Sequence, residues 1–174
     1  MEELSLLLEL APLPLLEVSL SRDLATRLQT ICDQFADIGH NVNYDGPDHV
    51  VIRAYADELH HALTNLVDNG IRHGGKTDVR VDLTASTVTV AVEDDGPGIA
   101  DGAKQDMFEP FVRGDVARGM NNNSGFGLGL SIARAVIESH SGTLTLVGRD
   151  PHGIVAKVTL PRAATIGEAA GTPA

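Results

Sequence analysis

Tryptophan is absent from this 174-residue chain, and aromatic residues make up only 3% of it. So few rings argue against the stacked-base platforms that bind single-stranded nucleic acid. There is one cysteine, Cys32, which excludes an intramolecular disulfide and any multi-cysteine zinc site. It reads as a small buried helix residue. Positive charge is scarce: 13 Lys and Arg stand against 24 Asp and Glu, a net charge of -11. That balance excludes a general nucleic-acid surface, which needs clustered cations to meet a phosphate backbone. A local site for a metal-bridged nucleotide remains compatible with it. Long apolar runs are missing as well. The leucine-rich start MEELSLLLELAPLPLL is short, acidic and interrupted by Pro12 and Pro14, so it reads neither as a membrane span nor as a signal peptide. A cytoplasmic domain without membrane contact is expected.

What is present, 43% hydrophobic residues in 174, suffices for one two-layer domain with a core. Residues 1–18 read as the end of an amphipathic helix or a linker, 19–162 as the domain, and 163–174 as a disordered tail. After Ser21, a candidate N-cap, Leu24, Leu28, Ile31, Cys32 and Phe35 recur at helical spacing up to Gly39. NVNYDGPDHVVIRAY places two extended runs around a turn-like DGPD and predicts a hairpin or paired strands. A second helix spans ADELHHALTNLVDNGIRH, with Leu59, Leu63, Leu66 and Val67 as its apolar stripe and Gly74 and Gly75 as its stop. DVRVDLTA and TVTVAVED predict a hairpin. An irregular stretch over 101–124 follows, then a helix opened by SGFGLGL and ended at Gly142, then two closing strands.

Three features can carry chemistry. On the second helix, His61, Asn65, Asn69 and His73 form a polar stripe at four-residue steps. An asparagine amide oxygen there can join a magnesium ion held by phosphates, although a solvated helix face has the same pattern. In VEDDGPGIA, Asp94 ends a strand and can accept a hydrogen bond from an exocyclic amino group, while Gly96 and Gly98 let a flat ring approach the backbone. An ordinary turn would also look like this. In SGFGLGLSI, Gly125, Gly127 and Gly129 precede a helix and expose N–H groups to an anion. A lid hinge is the other reading. No Lys-Ser/Thr pair follows, so it is not a Walker loop, and no strand precedes it as a Rossmann fingerprint requires.

In order along the chain, NLVDN, DDGPG, MFEPFVRGD and GFGLGL resemble the N box, first glycine box, F box and second glycine box of sensor histidine kinases, members of the GHKL group that includes DNA gyrase, MutL and heat-shock chaperones. The resemblance covers about residues 19–161. It implies an α+β, two-layer Bergerat-type sandwich: a mixed, mostly antiparallel sheet of about five strands, covered on one face by three helices, with a long ATP lid loop. It implies ATP and Mg2+ as cofactors. Asn69 would coordinate magnesium, with Asn65 helping through water. Arg72 and His73 would face phosphates, and Asp94 would bind the adenine amino group above Gly96, Gly98 and Ile99. Phe108 and Phe111 would anchor the lid, and Arg113 would meet the terminal phosphates. Gly125, Gly127, Leu128, Gly129 and Leu130 would line the triphosphate. Asn65 and Arg113 are the implied catalytic pair.

The clear F box separates the chain from gyrase-type ATPases and from anti-sigma-type serine kinases, which otherwise resemble it. Gyrase-type enzymes also carry a glutamate base where Asn65 stands, and an amide cannot accept a proton at neutral pH. Slow hydrolysis is expected. Three positions depart from the family pattern: Tyr55 replaces a frequent aspartate, Gly70 the usual alanine, and Phe126 a small hydroxyl residue. Gly70 costs the helix about 1 kcal/mol relative to alanine. None of the seven histidines sits in an acceptor motif, and His40, His49, His140 and His152 read as solvated. The implied partner is a histidine-bearing dimerisation domain, in the same kinase or on a separate split-kinase chain, and indirectly a response regulator. A degenerate ATP-binding regulatory module and an anti-sigma-type serine kinase are the alternatives.

Overall fold

The computed structural model describes residues 22–111 and 127–162. Residues 1–21, with Ser21, residues 112–126, with Arg113, Gly125 and Phe126, and the tail from 163 lie outside the described residues. Five strands form one sheet in the order β2-β4-β5-β7-β6, with β2 Val42–Asp45, β4 Thr77–Leu83, β5 Thr87–Asp94, β6 Thr143–Gly148 and β7 Ile154–Pro161. Only β2 runs parallel to its neighbour; every other pairing is antiparallel. The expected β4–β5 hairpin is present, with Val79 opposite Val92 and Val81 opposite Val90.

Alternation of β-branched and polar residues sets which face is buried. Val79 and Val81, then Val88, Val90 and Val92, then Ala156, Val158 and Leu160 turn to the helices, all at 8% exposure or less. Three helices cover that face: α1 Leu24–Asp37, α2 Ala56–His73 and α3 Gly129–Ser139. The apolar stripes read from the sequence are the ones buried, including Leu28, Ile31, Cys32, Leu63, Val67, Ala133 and Ile137. The same alternation carries one polar side chain inward, because Asp94 continues the Val88, Val90, Val92 series. That phase decides where the site lies.

Two local expectations are corrected. The runs flanking DGPD do not pair with each other. Val42–Asp45 joins the sheet edge beside β4, while β3, Val51–Ile52, pairs with β1, Arg22–Asp23. Tyr44 donates its hydroxyl hydrogen to Pro47 O at 2.8 Å, and Leu24 N–H bonds Val50 O at 2.7 Å, so the turn passes over the start of α1 instead of folding back. The N-cap of α1 is Asp23, not Ser21. Its carboxylate accepts N–H bonds from Ala25, Thr26 and Val50 at 3.1, 3.4 and 2.9 Å and also engages His49.

His140 is not solvated. It is 8% exposed; its Nε2 accepts the N–H of Tyr55 at 2.9 Å, while Nδ1 lies 2.7 Å from Val136 O. Tyr55 offers no side-chain cap to α2, and this imidazole takes its backbone N–H, tying the start of α2 to the end of α3. Gly70 also gains a reason. A Cβ there would lie 3.1 and 3.2 Å from the Thr77 side chain, tighter than the helix–sheet contact accommodates without movement.

Burial pushes the Asp23 carboxyl pKa up, but hydrogen bonds from Val50, His49 and Thr26 outweigh it and hold the group well below the usual carboxylate range. A depressed native pKa stabilises the fold above the unfolded value and loses that contribution as acid protonates the group. Asp23→Ala should therefore cost about 1 to 2 kcal/mol at pH 7. In chemical denaturation, the gap from wild type should narrow steadily below about pH 4. A gap independent of pH would contradict the assignment of the cap.

Candidate functional site

Asp94 is the last residue of β5 and is 7% exposed. Its Oδ1 accepts the Gly96 N–H at 2.9 Å and the Ile154 N–H at 3.4 Å. Burial raises its pKa; those two N–H groups and nearby His73 oppose the rise. A buried carboxylate with backbone donors on one oxygen keeps acceptor capacity on the other. It can therefore receive an amino group from a ligand.

The chain packs closely around it. A Cβ on Gly96 would come within 2.3 Å of His73 O, so only glycine lets the loop after β5 touch the end of α2. Gly153 has φ +114°, and a Cβ there would come within 2.0 Å of Asp94 O. Its left-handed backbone and the contact both require glycine. Gly98 (φ +81°) follows along the same loop, where a Cβ would lie 3.4 Å from Gly153 O. Ile99 is partly buried against the core.

On α2, Asn65 and Asn69 are half-buried one turn apart. A Cβ on Gly129, the first residue of α3, would lie 3.8 Å from Asn65 Cβ. The second glycine segment and the asparagine stripe therefore meet. Leu128 caps α3 without a side-chain bond, so the N–H groups of the first turn have no capping side chain, and Leu130 packs on the core. Arg72 Nε pairs with Asp68 at 2.7 Å, and His73 is exposed at the helix end.

The two F-box rings part company. Phe108 is 7% exposed and lies under Arg134 of α3, whose guanidinium carbon is 5.0 Å from the ring centroid. Phe111 is 72% exposed at φ 67°. What holds Phe111 is its main chain, which donates to Gly127 O at 3.1 Å. Arg113 and Gly125 lie outside the described residues.

Sequence reading passed over the β6–β7 turn. Arg149 donates to Asp94 O at 3.3 Å, His152 Nδ1 lies 3.2 Å from Gly96 O, and Ile154 supplies an N–H to the carboxylate. These residues lie 55 to 60 positions from their partners, and no local pattern marks them. Asp95 was legible only as part of DDGPG, yet its Oδ1 accepts the N–H groups of Gly75 and Lys76 at 2.6 and 2.9 Å.

The arrangement thus has a buried acceptor at one end and amides plus a helix N-terminus at the other. Amide oxygens are hard donors that suit Mg2+ completed by phosphate oxygens, and among the described residues neither Asn65 nor Asn69 is hydrogen-bonded to another side chain. The donor set fits a magnesium-bridged nucleotide. No described helix is long and apolar enough to cross a membrane.

Comparison with known proteins agrees with this geometry. Residues 54–164 match the family described as histidine kinase-, DNA gyrase B-, and HSP90-like ATPase. The sensor protein SphS of Synechococcus elongatus is 39% identical over 110 residues, covering 59% of this chain and 27% of that protein. The sensor histidine kinase component HK1 of Mycobacterium tuberculosis is 33% identical over 129 residues, covering 74% of this chain and 75% of HK1. The chain thus spans about a quarter of SphS and three quarters of HK1. A solved structure of the mycobacterial sensor histidine kinase MprB superposes with a TM-score of 0.72 at 21% identity, over 83% of this chain and 98% of that one. The chain belongs to the histidine kinase-, DNA gyrase B-, and HSP90-like ATPase family, with the ATP-binding catalytic domain of the histidine kinases as its fold.

Proposed function

We propose that this domain binds Mg-ATP and donates the γ-phosphoryl group to a histidine on a dimerisation domain, in the same kinase or on a separate chain, with a response regulator receiving the group afterwards. We place the catalytic unit at 19–162 and the reaction in the cytoplasm. The observation that carries the reading is the buried Asp94 carboxylate, set by strand alternation on the same side of the sheet as Asn65, Asn69 and the start of α3.

In this reading Asp94 accepts the adenine amino group, with Gly96, Gly98 and Ile99 as the pocket floor. Asn69 would hold magnesium, and Asn65 would help position it through water. When bound, magnesium neutralises charge developing on the β- and γ-phosphates. Arg72 and His73 face the phosphates, and the Gly125–Leu130 segment cradles them with backbone N–H groups. Phe108 and Phe111 fix the near end of the lid, and Arg113 meets the γ-phosphate. The incoming imidazole nitrogen attacks the γ-phosphorus, the bond to the β,γ-bridging oxygen breaks, ADP departs, and the imidazole proton is released to solvent. Asn65 cannot accept a proton from water, so hydrolysis stays slow relative to transfer.

Two experiments test this. Calorimetric titration with Mg-ADP should find Asp94→Asn weakened by about 5-fold to 150-fold, the range for an unmatched buried polar group. A carboxyl whose native pKa is raised costs stability above its unfolded value, so the fold loses stability as pH rises through that window. The nucleotide-free variant should therefore melt higher than wild type at pH 7, with the gain shrinking toward about pH 4. Equal affinity of variant and wild type would remove Asp94 from the base pocket. Incubation with γ-labelled ATP and a histidine-bearing dimerisation domain should give acid-labile label on the partner and little free phosphate. Acid-stable label would indicate a serine kinase of the anti-sigma type, and an unlabelled partner a regulatory module.

A further inference from the structure

A nucleotide in this pocket would bridge two elements: the loop after β5, which reads the base, and α2, which presents Asn69. Along the chain they are separated by the whole β4–β5 hairpin. In space, among the described residues, one side chain hydrogen-bonds across from the loop to the end of α2. Asp95 Oδ1 accepts the N–H of Gly75 at 2.6 Å and of Lys76 at 2.9 Å, two and three residues past His73, the last residue of α2. Successive N–H groups of this kind form an anion-binding concavity, and the chain fills it with its own carboxylate. Those N–H bonds hold the Asp95 pKa below the usual carboxylate range. Glycines allow the close approach on both sides: a Cβ on Gly74 would lie 2.9 Å from Asp95 Oδ1, and Gly96 abuts His73 O.

We infer that Asp95 is a positioning residue that couples the base end of the nucleotide site to its metal end, by fixing the spacing between Asp94 and Asn69. Asn69 lies one turn before His73, so any slip of the helix terminus against the loop moves the metal ligand relative to a bound base. Geometry carries the coupling. The charge matters less, because the carboxylate is partly open to solvent and its Coulomb field is screened. The inference rests on the Mg-nucleotide reading above.

The test compares ADP affinity in magnesium with affinity in EDTA for the full chain, for Asp95→Ala and for Asp95→Asn, whose amide oxygen can still accept both N–H bonds. Couplings between sites commonly amount to 5-fold to 150-fold; here magnesium should strengthen wild-type and Asp95→Asn binding by about tenfold or more, and Asp95→Ala binding by about threefold or less. Adenine recognition itself should survive, so affinities in EDTA should stay within about twofold of one another. If Asp95→Ala keeps the full magnesium gain, or loses affinity equally in both conditions, Asp95 is only a structural contact and the inference fails while the pocket stands. An Asp95→Asn chain that is folded by circular dichroism but lacks the gain overturns it too, even if Asp95→Ala does not fold. Wild type that binds no ADP, or binds it without a magnesium gain, overturns the nucleotide reading and the coupling together.

Discussion

The site depends on a carboxylate placed where carboxylates are costly. Burial disfavours the ionised form of Asp94, and two backbone N–H groups on one oxygen offset only part of that cost. The fold tolerates this because the residue ends a strand whose previous inward positions, Val88, Val90 and Val92, supply a dense core. A one-residue slip of β5 would turn Asp94 to the open face and Glu93 inward. Register in this strand therefore fixes function as well as packing, and it is pinned on both sides by antiparallel partners, β4 and β7.

Around the site three separate stretches converge. The end of α2 reaches it through Asp95 and Gly96, the β6–β7 turn through Arg149, His152 and Gly153, and α3 meets α2 where Gly129 faces Asn65. Each approach depends on a residue without a side chain or with a single well-aimed acceptor. His140 adds a fourth tie away from the pocket, joining the start of α2 to the end of α3. The helices bearing the asparagines and the second glycine segment are thus held at both ends.

Much of this was legible in the sequence because it is local. Period-two runs gave β4, β5, β6 and β7, the 3.6-residue stripes gave α1, α2 and α3, and the order of four short motifs pointed to the family. What escaped depends on distance or on competition between partners. The DGPD turn reads as a hairpin, but Val51 and Ile52 find Arg22 and Asp23 instead. His140 reads as a surface residue at a helix end, and only the tertiary fold brings Tyr55 N–H to it. Phe111 reads as a lid anchor like Phe108, but its ring is exposed and its backbone is the part that is held. Asp95 reads as half of a turn, and its two acceptor bonds cross 19 and 20 residues.

The central claim is that an adenine nucleotide lies between Asp94 and the asparagine stripe. Amide chemical-shift mapping during titration with Mg-ADP measures this most directly. The account predicts the largest shifts at Gly96, Gly98, Ile99 and Ile154 and at the side-chain amides of Asn65 and Asn69, with α1 and the β2 edge nearly unmoved. Shifts concentrated on the groove between α1 and α2, around Thr26, Arg27 and His60, with the loop after β5 silent, would contradict it.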